Sequence, residues 1–241
     1  MAPLLSVIIP ARNEGARLPN TLPTVLDFLD HQDYGSEVLV VDSASTDDTG
    51  RIVEHHAQHR QDLQLLRADL PGKGRAVRLG MLAAKGEYRF ICDADLSMPI
   101  EQVNRFVPPR LDPEVDIAIA SREAEGAIRY DEPVYRHVVG RAFNILVRLL
   151  AIPGIQDTQC GFKSFRAEVA EDLFHQQTLD GWTFDVELLF IAQRRGYTIK
   201  EIPIPWYYNP GSRVSVLRDS FAMFSDLFRI RYNEWQGRYD G

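Results

Sequence analysis

Two aspartates one residue apart, Asp93 and Asp95, stand where the apolar run Tyr88–Cys92 stops. On an extended chain, residues i and i+2 share a side, and two carboxylates facing one spot repel unless a proton or a cation lies between them. A hard divalent ion such as Mg²⁺ or Mn²⁺ takes oxygen ligands and commonly shares a carboxylate or two with substrate phosphates. The same D-x-D spacing also serves a turn in which Asp93 caps and Asp95 is solvated, and spacing alone leaves both readings open. Gly72-Lys73-Gly74-Arg75 opens a helical period. Glycine admits close backbone approach to a ligand and a helix N-terminus favours anions, but the string is not a P-loop, and a plain loop-to-helix turn also accounts for it. Arg122 follows an apolar run, Arg136 and Arg141 lie on or near the next helical stretch, and Arg213 follows Gly211-Ser212. Arginine suits bidentate phosphate recognition; singly, each is also an ordinary surface cation. Asp185 and Glu187 begin a stretch that is apolar nearly all round, Val186 to Ile191, which marks a buried helix. Its first acid either satisfies free N–H groups and the helix dipole or faces a cleft.

The elements that must position these groups alternate. Leu4–Ile9, Val38–Val41, Leu63–Leu66, Tyr88–Cys92 and Val115–Ala120 read as strands. Helical periods lie between the first four, carried by Leu18, Leu22, Val25, Leu26 and Leu29, then by Ile52 and Val53, then by Ala76 to Ala83 closed by Gly86. That order predicts an α/β protein with a doubly wound, mostly parallel (mixed) sheet flanked by helices. In such sheets ligands bind beyond the carboxyl ends of the strands, which here deliver Arg12-Asn13-Glu14, Asp42-Ser43 and Asp93-Ala94-Asp95. The second half is less regular. Helices are expected over about 134–150 and 185–195, strands over 161–165 and 198–204, then the aromatic Trp206-Tyr207-Tyr208 and a final amphipathic helix with Phe221, Phe224, Leu227 and Phe228. With no repeat or linker, residues 1–241 read as one domain.

The net charge of −7 disfavours nucleic acid as a partner. Cys92 and Cys160 supply neither a disulfide framework nor a zinc set. The longest apolar stretch, Val138 to Ile152, is broken by Arg141, Asn144 and Arg148 and is too short to cross a bilayer. A cytoplasmic protein, or one peripheral on the cytoplasmic membrane face, is expected.

Taken together, the strings resemble family 2 glycosyltransferases of the GT-A fold, and within them dolichyl-phosphate β-glucosyltransferases. The resemblance is carried by Ile9-Pro10-Ala11-Arg12-Asn13-Glu14, Val40-Val41-Asp42, Gly72-Lys73-Gly74, Asp93-Ala94-Asp95 and Ser121-Arg122. Its most specific parts are Asp157-Thr158-Gln159-Cys160-Gly161-Phe162-Lys163 and Trp182-Thr183-Phe184-Asp185-Val186-Glu187-Leu188-Leu189. The resemblance implies an inverting, metal-dependent transfer of glucose from UDP-glucose to a polyprenyl phosphate. It implies that Pro10, Arg12, Asn13, Glu14, Asp42, Lys73, Asp93 and Ala94 bind the nucleotide sugar, and that Asp93 and Asp95 hold Mg²⁺ or Mn²⁺, with Asp95 the direct ligand. Arg122, Arg136 and Arg213 would grip the acceptor phosphate, and Asp95, Arg122 and Asp185 would carry the chemistry, Asp185 as a base or orienting group. Residues 1–120 would form the nucleotide-sugar half and 121–241 the acceptor half. The family string V-D-D-G-S is here Val41-Asp42-Ser43-Ala44-Ser45, which bears on nucleoside binding, and the N-terminal anchor of eukaryotic members is not seen in the sequence. A polyprenyl acceptor requires docking at a bilayer, for which the 134–155 segment and the C-terminal helix offer apolar faces beside arginines. The alternatives are a transferase acting on a saccharide or small molecule and a non-catalytic nucleotide-sugar binding module.

Overall fold

A computed structural model describes residues 2–209 and 216–240. Its centre is a seven-stranded sheet in the order β3-β2-β1-β4-β7-β5-β8. These strands are β1 (Leu5–Ala11), β2 (Ser36–Ser43), β3 (Leu63–Ala68), β4 (Tyr88–Ile91), β5 (Ile117–Ser121), β7 (Lys163–Arg166) and β8 (Ile199–Pro203). All neighbours run parallel except β7, which is antiparallel to both β4 and β5. A separate parallel pair joins β6 (Ile128–Tyr130) to β9 (Pro205–Tyr207), where the rings of Tyr130 and Tyr207 stack at 4.5 Å. The expected mixed, mostly parallel sheet is present.

β1 sits between β2 and β4 and is covered on both faces, so it needs a continuous apolar run rather than an alternating one. Val7 and Ile9 face one layer with Val38 and Val40, while Ile8 faces the other with Leu39 and Val41. The first layer contains α1 (Leu18–Asp30) and Val53 of α2 (Thr49–Ala57), closed by an edge-to-face cluster of Phe90, Phe106 and Phe162. The second contains α3 (Lys73–Ala83), α5 (Ala167–Gln176), α6 (Phe184–Arg194) and the buried side of α7 (Val216–Trp235). α5 escapes the sequence reading because only Val169, Ala170, Leu173 and Phe174 are buried in a short amphipathic stretch. α4 (Val134–Leu150) differs from the others: Asn144 and Val147 are buried, while Val134, Tyr135, Val138, Val139, Ile145 and Leu146 are exposed.

Candidate active site

The carboxyl ends of β1, β2 and β4 open into a cleft of about 570 Å³ lined by Pro10 to Glu14, Ser43, Lys73, Asp93 to Asp95, Arg122, Gly161, Trp182 and Trp206. A more open depression is lined by Gly15, Ala16, Asp47, Asp48, Arg51 and His55, farther along the loops that follow β1 and β2.

The wall after β1 is fixed by bonds to the loop after β2. Asn13 holds a left-handed backbone (φ 51°), its N–H donates to Ser45 Oγ at 2.8 Å, and its Oδ1 accepts from Thr46 N at 2.7 Å. Glu14 N–H donates to Thr49 Oγ1 at 2.8 Å. Asp42 is buried, accepts from Ser45 N at 3.0 Å and lies 3.8 Å from Arg67. It does not line the cleft, and Ser43 does. Its carboxylate helps shape the loop after β2 through the Ser45 N–H. Ala44 sits at φ 52°, so this loop keeps a left-handed residue without glycine, at a cost of about 1 kcal/mol.

β4 stops at Ile91, and Asp93 to Asp95 lie in a turn closed by Leu96 N–H to Asp93 O at 3.3 Å. The extended-chain argument for their pairing is thus replaced by turn geometry, which still brings both to the cleft. Thr21 on α1 donates to Ala94 O at 2.7 Å and Ser97 N–H donates to Asp95 Oδ1 at 3.1 Å, so the turn is anchored on both sides. Lys73 Nζ pairs with Asp93 Oδ1 at 2.7 Å. Burial and the neighbouring Asp93 charge push the Asp95 carboxyl above its ordinary range. Burial pushes the Lys73 ammonium down, but the charges of Asp93, Asp185 and Asp95 outweigh it and hold the group above its usual value. Asp93 packs so closely on Gly161 that a Cβ there would collide with its carboxylate.

This donor set fits a hard divalent cation. Two neighbouring carboxylates, one paired with an ammonium group and the other disfavoured as a charge by burial and by its neighbour, are oxygen donors that a cation would compensate. No cluster of three or more His, Cys, Asp or Glu side chains suited to a metal occurs among the described residues, so the substrate would have to share the coordination.

Gly72 lines the cleft and Gly74 does not. A Cβ at Gly72 would lie 2.6 Å from Asp180 O, and one at Gly74 2.6 Å from Leu179 O and 2.7 Å from Phe184 Cβ. Both glycines let the loop before α6 pack against the start of α3, where Gly74 N–H donates to Gly181 O.

Arg122 is gripped by Asp157, which the sequence reading placed in a specific string without a role. Asp157 is fully buried and accepts from Arg122 Nε at 2.7 Å, Nη2 at 2.9 Å and the backbone N–H at 3.0 Å. Burial pushes the Asp157 carboxyl up, but the Arg122 charge and these hydrogen bonds prevail and hold it at about 2. Trp206 packs 5.5 Å from the guanidinium. The pair engages Nε and Nη2 and not Nη1.

Asp185 is buried at the start of α6 and does not line the cleft. It pairs at 3.0 Å with Lys163, whose Nζ also donates to Cys160 O at 2.5 Å. Burial pushes the Asp185 carboxyl above its ordinary range, with the Lys163 and Lys73 charges opposing that shift. Lys163, buried at the start of β7, could have been noticed as a cation with no place in an apolar core unless paired. Arg136 lies in the first turn of α4, its side chain outside what is described, and Arg213 falls outside the described residues.

The glycosyl transferase family 2 model matches residues 6–174. A dolichyl-phosphate β-glucosyltransferase of Drosophila melanogaster is 36% identical, over 94% of this chain and 74% of that protein. Those of Dictyostelium discoideum and Homo sapiens are each 32% identical, covering 95% and 98% of this chain and 74% and 77% of theirs. Among solved structures, glucosyl-3-phosphoglycerate synthase from Mycobacterium tuberculosis in complex with UDP aligns with a TM-score of 0.65 at 21% identity, over 95% of this chain and 78% of that one. The same enzyme with Mn²⁺, UDP-glucose and phosphoglyceric acid aligns at 0.64 and 19% identity, with the same coverage. The likeness shows a shared GT-A fold.

Proposed function

The chain belongs to glycosyl transferase family 2 and is a hexosyltransferase, and on that premise we propose that it moves glucose from UDP-glucose to a polyprenyl phosphate, inverting the sugar carbon. The observation that carries this reading is the meeting, in one cleft, of the Asp93/Asp95 pair with Lys73 and the braced Arg122. Similarity to dolichyl-phosphate β-glucosyltransferases over most of the chain supports the donor and the acceptor class.

In this reading the nucleoside lies along Pro10 to Glu14 and Ser43, and the diphosphate lies against Lys73 and the two aspartates. Asp93 and Asp95 would hold Mg²⁺ or Mn²⁺, which supplies charge to the leaving diphosphate. An acceptor phosphate oxygen attacks C1 from the face opposite UDP; the new C1–O bond forms as the bond to the β-phosphate breaks, and UDP leaves with the electron pair. A phosphate monoester loses its second proton near pH 6, at about the pKa of phosphorylated side chains, so the nucleophile is already charged and no base need touch it. What the protein must supply is position and charge compensation. Arg122 does both, because Asp157 fixes its plane while Nη1 lies outside that pair. Residues 1–120 serve mainly the donor and 121–241 mainly the acceptor.

The acceptor's chain lies in a bilayer, and among the described residues no helix is long and apolar enough to cross one. Docking falls to α4, which has no acidic residue, exposes Val134, Tyr135, Val138, Val139, Ile145 and Leu146 and carries exposed Arg141 and Arg148. Phe224, Phe228 and Trp235 on α7 add to that face. An interfacial helix of this composition favours an anionic, cytoplasmic-leaflet surface. The test is incubation with UDP-glucose, Mg²⁺ or Mn²⁺ and a polyprenyl phosphate in anionic liposomes, with UDP release and glycolipid formation measured and flotation scored in parallel. Transfer to a soluble phosphate or saccharide but not to the lipid would replace the acceptor assignment; UDP-sugar binding without turnover on any acceptor would replace the enzyme reading.

A further inference from the structure

We propose that Trp182 is the platform on which the donor's hexose ring lies, with one indole face covered by the C–H bonds of the pyranose. The inference rests on the UDP-glucose reading above. Trp182 lies in the loop between α5 and α6, and that loop is tied down on every side. Gly74 N–H and Arg75 N–H donate to Gly181 O and Asp180 O, each at 3.3 Å, and the Arg75 side chain pairs with Asp180. Thr178 N–H and Leu179 N–H donate to Glu187 Oε2 at 3.0 and 2.8 Å, and Thr183 Oγ1 donates to Asp226 Oδ2 at 2.7 Å. The close packing of Gly72 and Gly74 against Asp180 and Leu179 fixes its height above α3.

On this rigid loop the one large side chain turned toward the cleft is left 37% exposed. An indole held in place by that many bonds, yet not packed into the core, is apolar area awaiting cover. Its position selects the cover. The ring lies 5.4 Å from Lys73 Nζ, which in turn contacts Asp93 Oδ1 at 2.7 Å. Trp182 therefore borders the diphosphate-facing part of the cleft, while the nucleoside is assigned to Pro10 to Glu14 and Ser43. The next donor group beyond the diphosphate is the sugar. Glucose carries its ring hydroxyls equatorially, so its faces present C–H bonds to a ring, whereas a hexose with an axial hydroxyl roughens one face. The indole's negative face also favours the positive charge that grows at C1 as the leaving bond breaks.

The test is calorimetric titration of the wild type, Trp182→Phe and Trp182→Ala with UDP and with UDP-glucose in the presence of Mn²⁺, with melting curves confirming that all three are folded. The expected result is that Trp182→Ala loses about tenfold of the UDP-glucose affinity while UDP affinity holds, and that Trp182→Phe recovers most of the loss. An equal fall for UDP and UDP-glucose would overturn the proposal by making the ring a shield for Lys73 alone. Unchanged affinities in Trp182→Ala would overturn it outright. A wild type that binds UDP but gains nothing from the glucose, or that binds neither ligand, would overturn the donor reading itself, and the proposal with it.

Discussion

Replacing Asp157 with asparagine keeps the shape of the side chain and removes the charge that holds Arg122. The cost follows from the geometry. Asp157 is completely buried, and its carboxyl is held at about 2 against an ordinary 3.8. That difference corresponds to about 2 kcal/mol favouring the ionised form in the folded state. Stranding a buried partner can cost about 3–5 kcal/mol, but the Arg122 side chain is 20% exposed and can recruit water, so the lower figure governs. Urea denaturation at pH 7 should show Asp157→Asn less stable by about 2 kcal/mol, or roughly 6 °C in a melt of a chain this size. The pH dependence has a definite sign. Because the folded pKa is depressed, the wild-type advantage is fully present above about pH 4 and is lost as pH falls toward 2. The gap between wild type and variant should therefore narrow on acidification, and the acceptor KM should rise at pH 7 while the UDP-glucose KM holds. A gap below about 0.5 kcal/mol at pH 7, or one that widens toward pH 3, would refute the claim that this pair braces the cleft.

Asp95→Asn should lose at least about a hundredfold of transfer activity, yet melt at or slightly above the wild type without metal, because burial and Asp93 disfavour the Asp95 charge; a melt rise with Mn²⁺ in the wild type and none in the variant would place the ion there, whereas equal rises would remove Asp95 from the ligand set. Gly161→Ala should displace the Asp93 carboxylate and break its contact with Lys73, so UDP-glucose affinity in titration should fall about tenfold or more while circular dichroism stays native; unchanged affinity would show that Asp93 has room to move.

Legibility differed along the chain for physical reasons. β1 and β2 are buried on both faces, and such strands must be continuous apolar runs, so Leu4–Ile9 and Val38–Val41 announced themselves, with Arg12-Asn13-Glu14 at the first strand's end. β7 was read as a strand, but its antiparallel direction was invisible, because direction depends on which neighbours it joins. Asp93 and Asp95 were found by type and spacing, although the backbone beneath them is a turn. Asp42 and Asp185 were found equally easily, but neither lines the cleft. Each carboxylate is held by something distant in sequence or around a loop: Asp42 by Ser45 N–H near Arg67, Asp185 by Lys163. Trp182, Asp157 and Lys163 lay inside strings that identified a family, and nothing local said which was a wall of the cleft, which a brace and which a buried counter-charge.

By itself, then, the sequence determined the layered α/β fold, the strand ends that carry polar groups and the family to which those groups belong, because burial pattern and local spacing are properties of neighbouring residues. The tertiary structure decided which polar groups are open to a ligand. Whether a carboxylate is spent on an internal partner or left for a substrate depends on the charge that folding sets against it. Arg122 and Asp157 are 35 positions apart, and Lys73 reaches Asp93, in the turn after β4, from the start of α3; only the packed sheet brings them within bonding distance.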